Sequence, residues 1–424
     1  MNIKFPYGKS YLDVNIDDRR LQGVLYSSMH NYKPQYSEDE IVEESIQNPI
    51  GTKKLSDLAI NKNKVILIAS DHTRPVPSKI IVPKMLREIR KGNPNADITI
   101  LIATGCHRST VKEELISKFG DEIYNNEKII IHDCDLSETV NIGTLPSGGE
   151  CFINKLVIDA DLVVSEGFIE PHFFAGYSGA RKSILPGVAS RSTVLYNHNS
   201  SFIADSKSRT GILIDNPIHR DMVWAANKAK LAFIVNVVID SDKKVIFSVA
   251  GDQEKAHKRG CAFLSSLCQV RTEPADIVIS TNGGFPLDQN IYQAVKGMTA
   301  AESCVKQDGV IIMIAKSNDG IGGDKFYHQL ADEKDINKTM ELFLSRDKNE
   351  TEADQWQTQI FLRILQKAKV IYISEVEDKI ISDMHMIPAS NLDEALKKAE
   401  KLLNNPKSSI IAIPDGVSVI VSES

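Results

Sequence analysis

Short β-branched apolar runs alternate with stretches of helical periodicity along most of the 424-residue chain, a pattern that predicts parallel sheets flanked by helices. In the first part the runs place strands at 64–69, 98–103, 128–132, 162–165, 233–238 and 245–249, with helices at 78–91 and 110–119. Thr110 is the expected N-cap of the second helix, with a glutamate three residues on. A second series of strands, at 276–281, 310–315, 370–374 and 409–413, alternates with helices at 287–303, 336–344, 354–368 and 391–403. After a helical stretch at 253–266, Cys268 to Pro274 reads as a linker, and 345–352 as a charged, solvated turn. The expected fold class is therefore α/β, in two domains of mostly parallel sheet: an N-terminal one over 1–268 and a C-terminal, Rossmann-like one over 275–424.

Polar clusters follow several of these strands. Asp71 to Arg74 come after the first strand, His107 after the second, His172 after the strand at 162–165, and Asn282 to Gly284 after the first strand of the second series. In doubly wound sheets ligands bind beyond the C-terminal ends of strands. With clusters from both halves, the active site is expected in an interdomain cleft.

Composition narrows the chemistry. A formal charge of −6 argues against nucleic acid or an anionic membrane as partner, since either needs a basic face. Six cysteines occur without a C-x-x-C spacing, so neither a zinc ribbon nor a disulfide framework is indicated. The N-terminus MNIKFPYGKS carries no apolar core of a signal peptide, and charges interrupt each hydrophobic run. A cytoplasmic enzyme acting on a small molecule is the expectation.

The segment Glu170 to Gly187, EPHFFAGYSGARKSILPG, has the composition of a site. Its glycines let backbone approach a ligand, and Arg181 beside Lys182 is a cation expected to depress the lysine's pKa, toward a nucleophile. Gly179 to Ser183 lacks the spacing of a phosphate-binding P-loop, and the chain has no G-x-G-x-x-G. Gly176 and Gly179 either cradle the phosphate of a mononucleotide or serve tight turns. Of ten histidines, only His107, His172 and His198 lie in loops of ligand-like composition. Three histidines are also the makings of a zinc triad, although no two share a helical turn.

Taken in order, DHTRP (71–75), ATGCHR (103–108), the 170–187 segment, NHN (197–199) and NGGFPLDQNIYQAVKG (282–297) resemble the blocks of the nickel-dependent lactate racemase family. The resemblance implies a nickel-pincer nucleotide, a pyridinium mononucleotide with two sulfur donors, bound covalently through Lys182. It implies His198 as nickel ligand, His107 and His172 as the acid/base pair, and Asp71, Gly176 and Gly179 near the cofactor. Arg74, Tyr292, Gln293, Lys296 and Trp356 would bind the substrate. Gln293 lies one helical turn before Lys296, and an arginine and a lysine suit a carboxylate. Proteins that synthesise the cofactor would be partners.

Such a family racemises a 2-hydroxy acid, lactate by default. Removing the C2 hydrogen as a proton would build a dianion beside the carboxylate, whereas removal as a hydride, with the hydroxyl proton going to a histidine, leaves a flat 2-keto acid. Two bases are needed because the hydroxyl points differently in each enantiomer, and imidazole has a suitable pKa. Alternatives are a sugar-acid C2 epimerase or a malate or phenyllactate racemase with the same machinery, a zinc hydrolase or lyase, and a cofactor carrier.

Overall fold

The strand Lys64–Ser70 (KVILIAS) buries five consecutive residues, which requires cover on both faces of its sheet. It lies inside a six-stranded sheet ordered Val245–Gly251, Leu231–Ile239, Leu162–Phe168, Lys64–Ser70, Asp97–Ala103 and Lys128–Ile131. Every neighbouring pair is parallel except the first, which is antiparallel. The chain lays down three strands outward from Lys64–Ser70, then returns and lays down three in the other direction from Leu162–Phe168. Strand order thus reverses between those two central strands, which opens a crevice at their C-terminal ends.

The structure is a computed structural model describing residues 1–423. It divides into two compact units: Met29–His198 with Asp205–Ser266, and Met1–Ser28 with Asn199–Ala204 and Leu267–Ser424. The sheet above belongs to the first unit, where Val42, Ile81, Met85 and Ile89 from the helices pack with Val65, Leu67, Ile100 and Val235 from the strands.

In the second unit a six-stranded parallel sheet runs Ile387–Ala389, Ala368–Ile373, Val305–Ile314, Ala275–Thr281, Ile410–Ile413 and Leu21–Val24. Its core joins Ile3, Phe5 and Val14 to Ile277, Ile312, Ile371 and Ile410. The expected α/β class with parallel sheets is what the chain forms.

Boundaries differ from the expectation in several places. The first 28 residues belong with the C-terminal unit rather than with 29–198, because Leu21–Val24 adds to the edge of Ile410–Ile413. Cys268 to Pro274 is not a linker: the helix Lys255–Cys268 runs into a strand, Gln269–Thr272, paired in parallel with Ile420–Glu423. The helix expected from Thr110 is Lys112–Phe119, with the Val111 N–H donating to Glu114 Oε2 at 2.9 Å. The helix expected from Leu287 is Ile291–Cys304, started by Asn290, whose side chain accepts the Gln293 N–H at 2.9 Å. Among the described residues no helix is long and apolar enough to cross a membrane.

Candidate active site

Asp71, one residue past Lys64–Ser70, is 1% exposed and faces the turn that follows Asp97–Ala103. Its Oδ2 lies 2.7 Å from His107 Nδ1, and its Oδ1 accepts from the Thr73 N–H at 3.1 Å and from the Thr73 hydroxyl at 2.7 Å. Burial alone would raise this carboxyl, but the His107 bond, then Thr73 and the Arg74 charge, outweigh it and bring it down to about 2. A carboxylate on Nδ1 fixes the imidazole so that Nε2 is its working nitrogen. Asp71, expected among the cofactor contacts, is thus engaged with His107 and Thr73, and it does not cap the helix Ser78–Gly92, which Pro77 precedes. Arg74 donates to Thr73 Oγ1 at 3.0 Å and remains half-buried. Thr110, no longer a cap, meets His72 Nδ1 at 3.0 Å.

At the other side of the crevice the strand Leu162–Phe168 leads into a two-strand hairpin, Pro171–His172 and Gly176–Tyr177, followed by a 3-10 turn, Ala180–Ser183. Lys182 Nζ lies 3.1 Å from His172 Nε2 and 5.7 Å from the Phe174 ring centroid. The two nitrogens are thus within hydrogen-bonding distance, with the His172 tautomer deciding which one donates. The Phe174 ring meets His172 edge-on at 4.5 Å and His198 edge-on at 5.2 Å, so it stands between two of the three singled-out histidines.

His198 follows the helix Arg191–Asn197 and is buried. Its Nδ1 lies 2.9 Å from the Val194 carbonyl, and a carbonyl can only accept, so Nδ1 carries the proton and Nε2 the lone pair. Burial first, then the Lys182 charge, lower its pKa to about 3 despite the Val194 carbonyl. A neutral imidazole with one nitrogen tied to a backbone carbonyl is the form in which histidine ligates metal. The two groups of residues are joined through backbone: the Gly105 N–H, in the His107 turn, donates to the Gly187 carbonyl at the end of the lysine segment at 3.0 Å.

Several expected residues have roles that need no ligand. A Cβ at Gly176 would lie 2.3 Å from the Ile212 carbonyl oxygen, and one at Gly179 would lie 2.6 Å from Asn236 Oδ1. Protein atoms account for both glycines, which favours the tight-turn reading over the phosphate cradle. Arg181, expected to act on Lys182 from alongside, is fully buried and turned into the unit's interior. Sequence reasoning missed Asn236, although a lone asparagine inside the apolar run FIVNVV was its signal. It also missed Lys118, whose Nζ donates to the Arg74 carbonyl at 3.4 Å and whose pKa burial lowers against the pull of Glu166 and Asp71. Among the described residues the ring nitrogens of His107, His172 and His198 do not converge within 4.8 Å of one another, so they form no zinc triad.

Within the C-terminal unit, the helix Ile291–Cys304 carries Tyr292, Gln293 and Lys296, all half-buried, and the helix Gln355–Lys367 carries Trp356. Tyr292 and Trp356 come together, with Asp354 beside the Tyr292 hydroxyl. Burial and then the Asp354 charge push that hydroxyl well above the usual phenol range. Asn282, just past Ala275–Thr281, donates to the Leu287 and Gln293 carbonyls at 2.6 Å each and accepts the Gly297 N–H at 2.7 Å. It thereby ties the helix that bears Gln293 and Lys296 to the strand's end.

Comparison with known proteins bears on the family of the chain. Residues 7–211 match the lactate racemase N-terminal domain family and residues 270–421 the lactate racemase C-terminal domain family. The chain is 54% identical to a lactate racemase of Thermoanaerobacterium thermosaccharolyticum, over 100% of this chain and 99% of that protein. It is 52% identical to one of Lactiplantibacillus plantarum, over 99% of each. A solved structure of the T. thermosaccharolyticum lactate racemase apoprotein superposes with a TM-score of 0.96, covering 99% of this chain and 100% of that one. A Thermotoga maritima protein at 18% identity and TM-score 0.66 shares the fold. Full-length identity above one half, together with both domain matches, shows that the chain belongs to the lactate racemase family of isomerases.

Proposed function

We propose that this chain interconverts the enantiomers of lactate at C2, with a nickel-pincer nucleotide joined covalently to Lys182 and nickel held by His198. The observation that carries the reading is the placing of Lys182 Nζ 3.1 Å from His172 Nε2, with Phe174 between His172 and a buried, neutral His198. The donor set fits the group. A lysine amine can form the thioamide, and an imidazole lone pair together with soft sulfur donors suits four-coordinate nickel. When bound, the nucleotide supplies an acceptor for the C2 hydrogen as hydride.

The remaining chemistry belongs to the protein. His107, oriented by Asp71, and His172 each take the substrate hydroxyl proton from one enantiomer and return it to the other. Once Lys182 is part of a thioamide its nitrogen would no longer be basic, which leaves His172 Nε2 to serve the substrate. Arg74, Gln293 and Lys296 bind the carboxylate, and Tyr292 and Trp356 line the substrate. Phe173 stacks on His172 at 5.1 Å, and aromatic bulk at that base favours a small 2-hydroxy acid. Proteins that build the nucleotide are the required partners.

The test is isotopic. C2-deuterated lactate should racemise more slowly and keep its deuterium, because a carbon-bound hydride does not exchange with water. Solvent deuterium found at C2 after a single turnover in heavy water would show proton abstraction and refute the reading.

A further inference from the structure

Arg181 is among the largest fully buried side chains of the protein, and among the described residues no carboxylate pairs with it. An unpaired buried cation is costly unless dipoles replace water around it. Here the dipoles come from the site segment itself. The guanidinium donates to the carbonyls of Ala175 at 2.9 Å, Ser178 at 3.1 Å and Gly179 at 3.2 Å. Its Nε donates to His219 Nδ1 at 3.0 Å, from the helix Pro217–Lys228. His257, from the helix Lys255–Cys268, lies 3.0 Å from the guanidinium and 2.7 Å from the Ser178 carbonyl.

Those carbonyls are at informative places. Ala175 sits within the hairpin that presents His172, and Ser178 and Gly179 immediately precede the turn that presents Lys182. Between them and Arg181 stands Ala180, held at φ +45°, a left-handed conformation that a non-glycine residue adopts only where its surroundings impose it. Its N–H donates to Asn236 Oδ1 at 2.8 Å. One side chain thus gathers the backbone of both functional residues and is itself anchored on two helices.

We propose that Arg181 is a positioning residue, which sets the separation of Lys182 and His172 by drawing the Ala175, Ser178 and Gly179 carbonyls onto one guanidinium anchored by His219. The inference rests on the proposed roles of Lys182 and His172. It adds a residue that touches neither substrate nor cofactor. Lysine in place of Arg181 has the charge without the planar fork and cannot span the three carbonyls and His219 together.

The test uses full-length apoprotein and protein from cells that make the nucleotide, as wild type, Arg181→Lys, Arg181→Met and His219→Leu. Acetic anhydride labelling of apo Lys182, read by peptide mass against exposed lysines, should change by about threefold or more in the folded variants. In the loaded protein, kcat per adduct should fall by about tenfold or more, with KM for lactate held within about twofold, as expected when reacting groups are misplaced. If Arg181→Met does not fold, Arg181→Lys and His219→Leu give the same readouts. A folded variant with wild-type labelling of Lys182, or with wild-type kcat per adduct, would overturn the proposal. Absence of any adduct on wild-type Lys182 would refute the proposed function instead, while the labelling result would still decide the role of Arg181.

Discussion

His107 Nδ1 and Asp71 Oδ2 are 2.7 Å apart, the imidazole side chain 45% exposed and the carboxylate almost entirely enclosed. The exposed partner is free to meet substrate while the enclosed one holds its orientation. Asp71→Asn keeps the shape but loses the charge, and the amide can turn its NH2 toward Nδ1, which selects the wrong tautomer. Turnover should fall by roughly 10- to 100-fold, with KM for lactate little altered. Steady-state kinetics on adduct-corrected protein checks this, and an equal loss from Thr73→Val would show that Asp71 acts through Thr73 instead.

The histidines should separate by what they lose. His198→Ala should lose nickel affinity, whereas His107→Ala and His172→Ala should keep nickel and lose about a hundredfold or more in turnover. Metal analysis beside kinetics distinguishes the two outcomes. Equal nickel loss in all three variants would contradict the division of roles.

Recognition of the carboxylate is tested by Arg74→Ala and Lys296→Ala, each expected to cost roughly 2 to 3 kcal/mol in kcat/KM if it makes a charge-assisted bond shielded from water. A change under about twofold in both would place the clamp elsewhere, since exposed pairs are worth little. Lactate, malate, phenyllactate and gluconate share the carboxylate and the 2-hydroxyl, so comparing their rates reads the remainder of the pocket. Lactate should lead.

Acid should destabilise the apoprotein before it protonates most carboxylates. Burial, followed by the Arg181 charge, lowers His219 to about 3 and His257 well below its ordinary value, with Lys258 facing both. A folded-state pKa below the unfolded one means that the unfolded chain binds more protons. Stability is therefore complete above about pH 6.5 and declines as pH falls, by up to about 1.4 kcal/mol per pH unit for each group. Urea midpoints measured from pH 7.5 to 5 should decrease, and His219→Gln should flatten the decline. A midpoint independent of pH over that range would mean that both rings take up protons in the folded protein as readily as in the unfolded chain.

The central strands were legible because strands covered on both faces become unbroken apolar runs, as in KVILIA and ITILIA. Edge elements were not. Gln269–Thr272 is short and half-exposed, and its partner, Ile420–Glu423, lies about 150 residues further along the sequence. The hairpins Asn2–Tyr7 with Ser10–Asn15 and Thr139–Thr144 with Glu150–Asn154 are likewise two-stranded and partly exposed. At the site, residues that follow central strands could be picked out from their positions, which is why Asp71, His107 and His172 were singled out. Side-chain direction could not be read: Arg181 and Lys182 are neighbours, yet the first turns into the unit's interior and the second toward His172.

The pairing of Leu21–Val24 with Ile410–Ile413 also has a consequence for synthesis. Arg20, beside that strand, donates to the Ser408 carbonyl across 388 residues of sequence. Residues 25–413 must all leave the ribosome before this edge can form. The intervening unit, whose strands all lie between Lys64 and Gly251, can complete its own sheet first, as units do when they emerge in order. The beginning of the chain is thus the part whose folding waits longest, and a nascent chain halted before residue 410 carries a finished site segment next to an N-terminal strand without its partner.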